Sequence, residues 1–152
     1  MSTFNVPSHH SAIIARLERL TPDAPRQWGT MTAHEMLCHL SDGYRASNGL
    51  ITCRRVDTAF SRSVVRWVAL HSPLRWPQGV KTVAEADQRR GGTKPVGWDA
   101  DREELLRLVR TFAPVEGRVH PLFGPLSVDE WGVWAWRHAD HHLRQFGIAA
   151  QA

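Results

Sequence analysis

The stretch HPLFGPLSVDEWGVWAWRHADHHLRQFG, residues 120–147, brings His138, His141 and His142 into one short run. Imidazole titrates near neutral pH, is costly to bury without a partner, and is the commonest nitrogen ligand of transition metals. On a helix of ~100° per residue, Trp131, Trp134, Ala135, His142, Gln145 and Phe146 fall within roughly 80° of His138. Val133, Arg137, Asp140 and Arg144 fall on the opposite side, where Asp140 and Arg144 suit a solvated i,i+4 ion pair. His138 and His142 thus stand in the apolar stripe, and His141 at its edge. One turn of helix sets the Cβ atoms of His138 and His142 ~5–6 Å apart. From there both rings can reach a single ion through bonds of ~2.0–2.1 Å.

A third ligand has to come from another element, and the segment around residues 33–48 offers one. Met36, Leu37, Leu40, Gly43 and Tyr44 make its apolar face, with His39 on the margin. Asp42 follows three residues later, and its carboxylate could orient an imidazole or accept a proton. Cys38 falls on the polar side with His34, Ser41 and Arg45, so it is not assigned as a ligand. Simpler roles compete. Histidines on an apolar face often only hydrogen-bond one another, Trp131, Trp134 and Trp136 suit packing, and Glu35 and Glu130 suit helix caps.

These residues need elements to hold them. Ile13, Ile14, Leu17 and Leu20 at helical spacing predict a first helix over 8–20, with Pro22 beyond it. Thr32 and Glu35 form a capping box that opens a second helix, which stops near Asn48–Gly49. A third helix is predicted over 57–71, ended by Pro73, and a fourth over 100–113, capped by Asp99 or Asp101. Ser127 and Glu130 form a second capping box, opening a last helix that runs to Phe146 with Gly147 as its stop. Residues 72–98 read as a long loop, and long loops in compact domains usually line or cover something. No strand pair and no βαβ alternation is evident. The expected fold is all-α: a single domain over 1–152, a four-helix bundle with an additional short helix and a long connecting loop.

Composition narrows the partners. The chain has 152 residues, 42% hydrophobic and 22% charged, as in an ordinary globular domain. Its net charge of +4 is scattered rather than striped, which argues against nucleic acid and is compatible with an anionic small molecule. Cys38 and Cys53 have no C-x-x-C spacing, and no apolar run approaches the ~18 residues of a membrane span. The expected compartment is a reducing cytoplasm.

The segments MTAHEMLCHLSDGYR, WPQGVKT and GGTKP, together with residues 120–147, resemble the DinB-like (YfiT-like) superfamily, within it a branch of unknown function. The resemblance runs from the first helix to Gly147. It implies a four-helix bundle holding a divalent transition metal (Zn, Ni or Fe) on three histidines: one from the second helix and two from an H-x-x-x-H on the last. Those positions match His39, His138 and His142. Members of the wider group include transferases and isomerases that use low-molecular-weight thiols, and many superfamily members are homodimers.

Three imidazoles leave a coordination position open, as in catalytic rather than structural sites. The expectation is a metal-dependent hydrolase or thiol-dependent transferase acting on a small electrophilic substrate, with Asp42 and His141 as candidate catalytic residues. Tyr44, Gln145 and His120 are candidates for the pocket lining, and Lys94 for binding a carboxylate. The alternatives are a bundle that binds metal or ligand without turnover, as in a stress response, and a metal-free bundle.

Overall fold

The computed structural model describes residues 1–150. The elements, in chain order, are α1 (Pro7–Glu18), α2 (Ala33–Ser47), a π-helical turn (Ser61–Val65) running into α3 (Arg66–His71), and a 3-10 turn (Ala84–Ala86). They continue with α4 (Trp98–Arg110), β1 (Val119–His120), β2 (Gly124–Pro125) and α5 (Val128–Gln145). The chain is mostly helical. Helix α1 packs on α5 and α4, α2 on α4 and α5, and α3 on α5.

Both capping boxes form. Thr32 and Glu35 exchange side-chain and backbone hydrogen bonds at the start of α2, and Ser127 and Glu130 do the same at the start of α5. Each pair satisfies orphan backbone donors and fixes where its helix begins. The stripes expected on α2 and α5 are buried: Met36, Leu37, Leu40 and Tyr44 meet Trp131, Trp134, Ala135 and Phe146 in one core with Ile13 and Leu17 of α1, and Ala139 and Leu143, outside the expected stripe, join them.

Three expectations are corrected. A two-residue antiparallel ladder, Val119 on Pro125 and His120 on Gly124, exists where no strand pair was expected. It is too short to leave an alternating pattern in sequence. The fourth helix begins at Trp98 with Gly97 as an uncapped N-terminus, and Asp101 instead reaches back to the Val96 and Gly97 N–H groups. The Asp140–Arg144 pair forms at 2.9 Å but is not simply solvated, because Asp140 also takes the buried Arg16 guanidinium at 2.9 Å.

The segment preceding α3 winds as a π-helical turn. Ser61, its buried residue, donates its hydroxyl to the Leu122 carbonyl at 2.7 Å, which holds the turn to the hairpin. The outer face here stays uncovered, with Phe60 63% and Trp67 60% exposed. Among the described residues no helix is long and apolar enough to cross a membrane.

Candidate metal centre

Helices α2 and α5 bring His39, His138 and His142 together. One ring nitrogen from each lies within 4.8 Å of the others, and all three residues are buried. The ring centroids form a near-equilateral triangle of 5.0, 4.7 and 4.9 Å.

The outward-facing hydrogen bonds settle which nitrogens are available. His39 Nδ1 donates to the Ala86 carbonyl at 2.7 Å, which leaves Nε2 as a lone pair. His142 Nδ1 donates to Gln145 Oε1 at 2.8 Å, and Gln145 Nε2 in turn donates to the Trp28 carbonyl at 2.9 Å. That second bond fixes which end of the Gln145 amide is oxygen. His138 is held differently. Its Nδ1 is buried without a hydrogen-bond partner among the described residues, and its ring is clasped by Trp134 at 4.7 Å. On the other side it rests against Gly43, where a Cβ would meet His138 Cε1 at 3.1 Å. Glycine at 43 is therefore what lets this imidazole lie against the α2 backbone.

The Nε2 atoms of His39 and His138 are 3.0 Å apart. Two nitrogens at ~2.0–2.1 Å from a tetrahedral ion stand ~3.3 Å apart, so the donor set fits a cation with little movement. Electrostatics keep the rings neutral. Burial pushes His39, His138 and His142 below the ordinary imidazole range, with the neighbouring imidazoles adding to the effect on His138 and His142. Neutral imidazole is the form that ligates metal.

His141 packs against His142 at 5.1 Å and Trp28 at 5.7 Å, and burial with Arg144 lowers its pKa to about 4. It borders the triangle without belonging to it. Asp42 does not orient His39; the Ala86 carbonyl does. The Asp42 carboxylate instead accepts from Gln88 Nε2, Thr93 N–H, Thr93 Oγ1 and Arg45 at 2.6–3.1 Å, which pins the loop after the 3-10 turn onto α2. Tyr44 is core rather than lining, with its hydroxyl donated to the Ala135 carbonyl at 3.1 Å. His120 lies behind Trp134, 5.4 Å away, and Lys94 is tied to the Gln88 carbonyl. Cys38, expected on a polar face, is buried where α2 packs on α4.

Sequence reasoning missed the part played by Ala86, by Gly43, which it placed only on the apolar face of α2, and by Trp76. The first acts through its carbonyl and the second through a missing side chain, and neither feature leaves a residue-type signal. Trp76 lies 6.2 Å from both His138 and His141 and donates its Nε1–H to the Ala69 carbonyl. It separates the histidines from a surface groove of about 440 Å³, whose lining includes Trp136, Arg75, Arg137, Arg144 and His71. Another hollow, of about 510 Å³, lies on the outer face of α4, away from this chemistry.

Comparison of the chain with protein-family models, with curated proteins and with solved structures returns no match.

Proposed function

We propose that the protein is a small metal-dependent enzyme of the DinB-like type, a four-helix bundle that activates water or a thiol on a divalent transition metal held by His39, His138 and His142. The observation that carries this reading is the buried triangle of three imidazoles, two of which have their far nitrogen already committed to a fixed acceptor. Such outer bonds fix the tautomer and aim the remaining lone pair inward. A cation bound there supplies Lewis acidity, lowering the pKa of a water or thiol in its open position toward neutrality.

The chain's own residues do the rest. Ala86 and Gln145 orient the ligands, and Trp134 with Gly43 holds the His138 ring. His141, whose ring packs beside His142 at the edge of the triangle, is the proposed residue to exchange a proton with the reacting group. The groove beyond Trp76 is the proposed approach for a small electrophilic substrate. Arg75 and Arg137 on its wall, where Arg144 is already paired with Asp140, favour one that carries negative charge.

The test is elemental analysis of the purified chain and its single-histidine variants. His39→Ala, His138→Ala and His142→Ala are each expected to lose the one equivalent of metal held at this centre, and His141→Ala to keep most of it. A His142→Ala protein that carries as much metal as the wild type refutes the ligand assignment. Thermal unfolding of the same variants separates catalysis from a structural ion. Little change in Tm on metal loss fits an open, working site, whereas a large drop supports a metal that merely holds the bundle together.

A further inference from the structure

A second constellation lies on another face of α2. His34 and Cys38 stand one turn apart, and Asp101, from the first turn of α4, meets them. One ligand-type atom from each residue lies within 4.8 Å of the others. Cys38 is 2% exposed and is not paired with another cysteine. The His34 and Asp101 side chains remain 23% and 20% exposed, so the cluster opens to solvent at that end.

The two outer groups are already fixed in place. His34 Nε2 lies 2.7 Å from Asp101 Oδ2, and the same oxygen accepts the Val96 N–H at 2.9 Å and the Gly97 N–H at 3.2 Å. Oδ1 takes no part in these bonds and keeps its lone pairs. The His34 ring is set edge-on to Trp98 at 5.6 Å. Backbone donors that hold a carboxylate by one oxygen, and packing that holds an imidazole, are the outer supports metal sites use.

We infer that His34, Cys38 and Asp101 form a second metal site, one that takes a borderline-soft cation such as Zn²⁺ or Co²⁺ and clamps α2 to α4. Sulfur, nitrogen and oxygen donors in one group select against Mg²⁺ and Ca²⁺, which want oxygen alone. On binding, the Cys38 thiol loses its proton to solvent and the sulfur–metal bond forms. The His34 proton that Nε2 donates to Asp101 passes through solvent to Nδ1, and the His34–Asp101 hydrogen bond gives way to two bonds to the ion. This site differs from the three-histidine centre in a way that can be read directly: only it contains a thiolate.

The full chain is stripped with chelator and titrated with Co²⁺. Absorbance is followed in the near ultraviolet, where thiolate-to-cobalt charge transfer occurs, and bound cobalt is counted. The wild type is expected to develop the charge-transfer band. His142→Ala, which removes a nitrogen ligand from the other centre, is expected to keep the band while binding one equivalent less. Cys38→Ser, Asp101→Asn and His34→Ala are expected to lose it, and Cys53→Ser to retain it. His34 is partly exposed, so His34→Ala decides the matter alone should the buried Cys38→Ser variant fail to fold. The inference is overturned if saturating Co²⁺ gives the wild type no such band, or if the band survives His34→Ala or disappears in Cys53→Ser.

Discussion

At the scale of single residues, the geometry of the three histidines depends on neighbours that would not touch a bound cation. Gln145 receives the His142 Nδ1 proton and is itself held by the Trp28 carbonyl. Gly29, at φ 78°, makes room for that amide, since a Cβ there would sit 2.6 Å from Gln145 Nε2. Gln145→Leu keeps the volume but removes the acceptor, and it is expected to weaken Zn²⁺ or Co²⁺ binding about 10–100-fold while the circular dichroism spectrum stays unchanged. Gln145→Glu, which restores an acceptor, should recover much of the affinity. Unchanged affinity in Gln145→Leu would show that His142 needs no orienting partner. Gly43→Ala tests the opposite support. Its added methyl must displace the His138 ring, so metal affinity should fall even though alanine is the better helix former. The histidines themselves were legible, because residue type and helical spacing together reveal a buried imidazole. The Ala86 carbonyl was not. It is backbone, and it lies 47 positions from His39, so no side-chain pattern announces it.

At the scale of elements, the two capping boxes and the apolar stripes of α2 and α5 could be read in advance because they are local. The hairpin between α4 and α5 could not. Its strands are two residues each, and His120 at its bend is fixed by tertiary burial. His120 Nδ1 accepts the Leu122 and Phe123 N–H groups at 3.1 and 3.2 Å, which requires an unprotonated nitrogen. Burial lowers its pKa to about 3, against ~6.5 for a free imidazole. The unfolded chain therefore binds the extra proton throughout that interval. The stability owed to neutral His120 is complete above pH ~6.5 and is lost as pH falls toward 3, by up to ~1.4 kcal/mol per pH unit. His120→Asn offers an uncharged oxygen in place of Nδ1. Denaturant unfolding of both proteins between pH 7 and 4.5 should give a shallower loss for the variant, and equal slopes would contradict the assignment. Glu130 contributes in a lower window. Burial works against its ionisation, but Arg66, the Ser127 N–H and His71 outweigh that and hold its pKa to about 2. Its share fades below the ordinary glutamate value of 4.5, so pH above this isolates His120 from Glu130.

At the scale of the whole molecule, the long stretch between α3 and α4 is what joins the helices into a site. Its 3-10 turn delivers the Ala86 carbonyl to His39, and Trp76 closes the opposite side over His138. The sequence marked this stretch as a loop with work to do, but it did not show that Asp42 ties it down. Four hydrogen bonds from Gln88, Thr93 and Arg45 converge on that buried carboxylate. Asp42→Asn keeps the shape and turns an NH2 group toward groups that are themselves donors, whichever way the amide is set. Leaving such donors unsatisfied costs about 1–3 kcal/mol. That cost falls on closure of the loop, which makes few core contacts of its own, so it opens locally before the helices do. Hydrogen exchange should therefore quicken across residues 84–94 while α2 and α5 stay protected. Metal affinity should fall in step, because an unmoored Ala86 no longer holds the His39 tautomer. Faster loop exchange with undiminished metal binding would mean that the loop only covers the histidines, and that the inward aim of His39 Nε2 is set by packing on α5 alone.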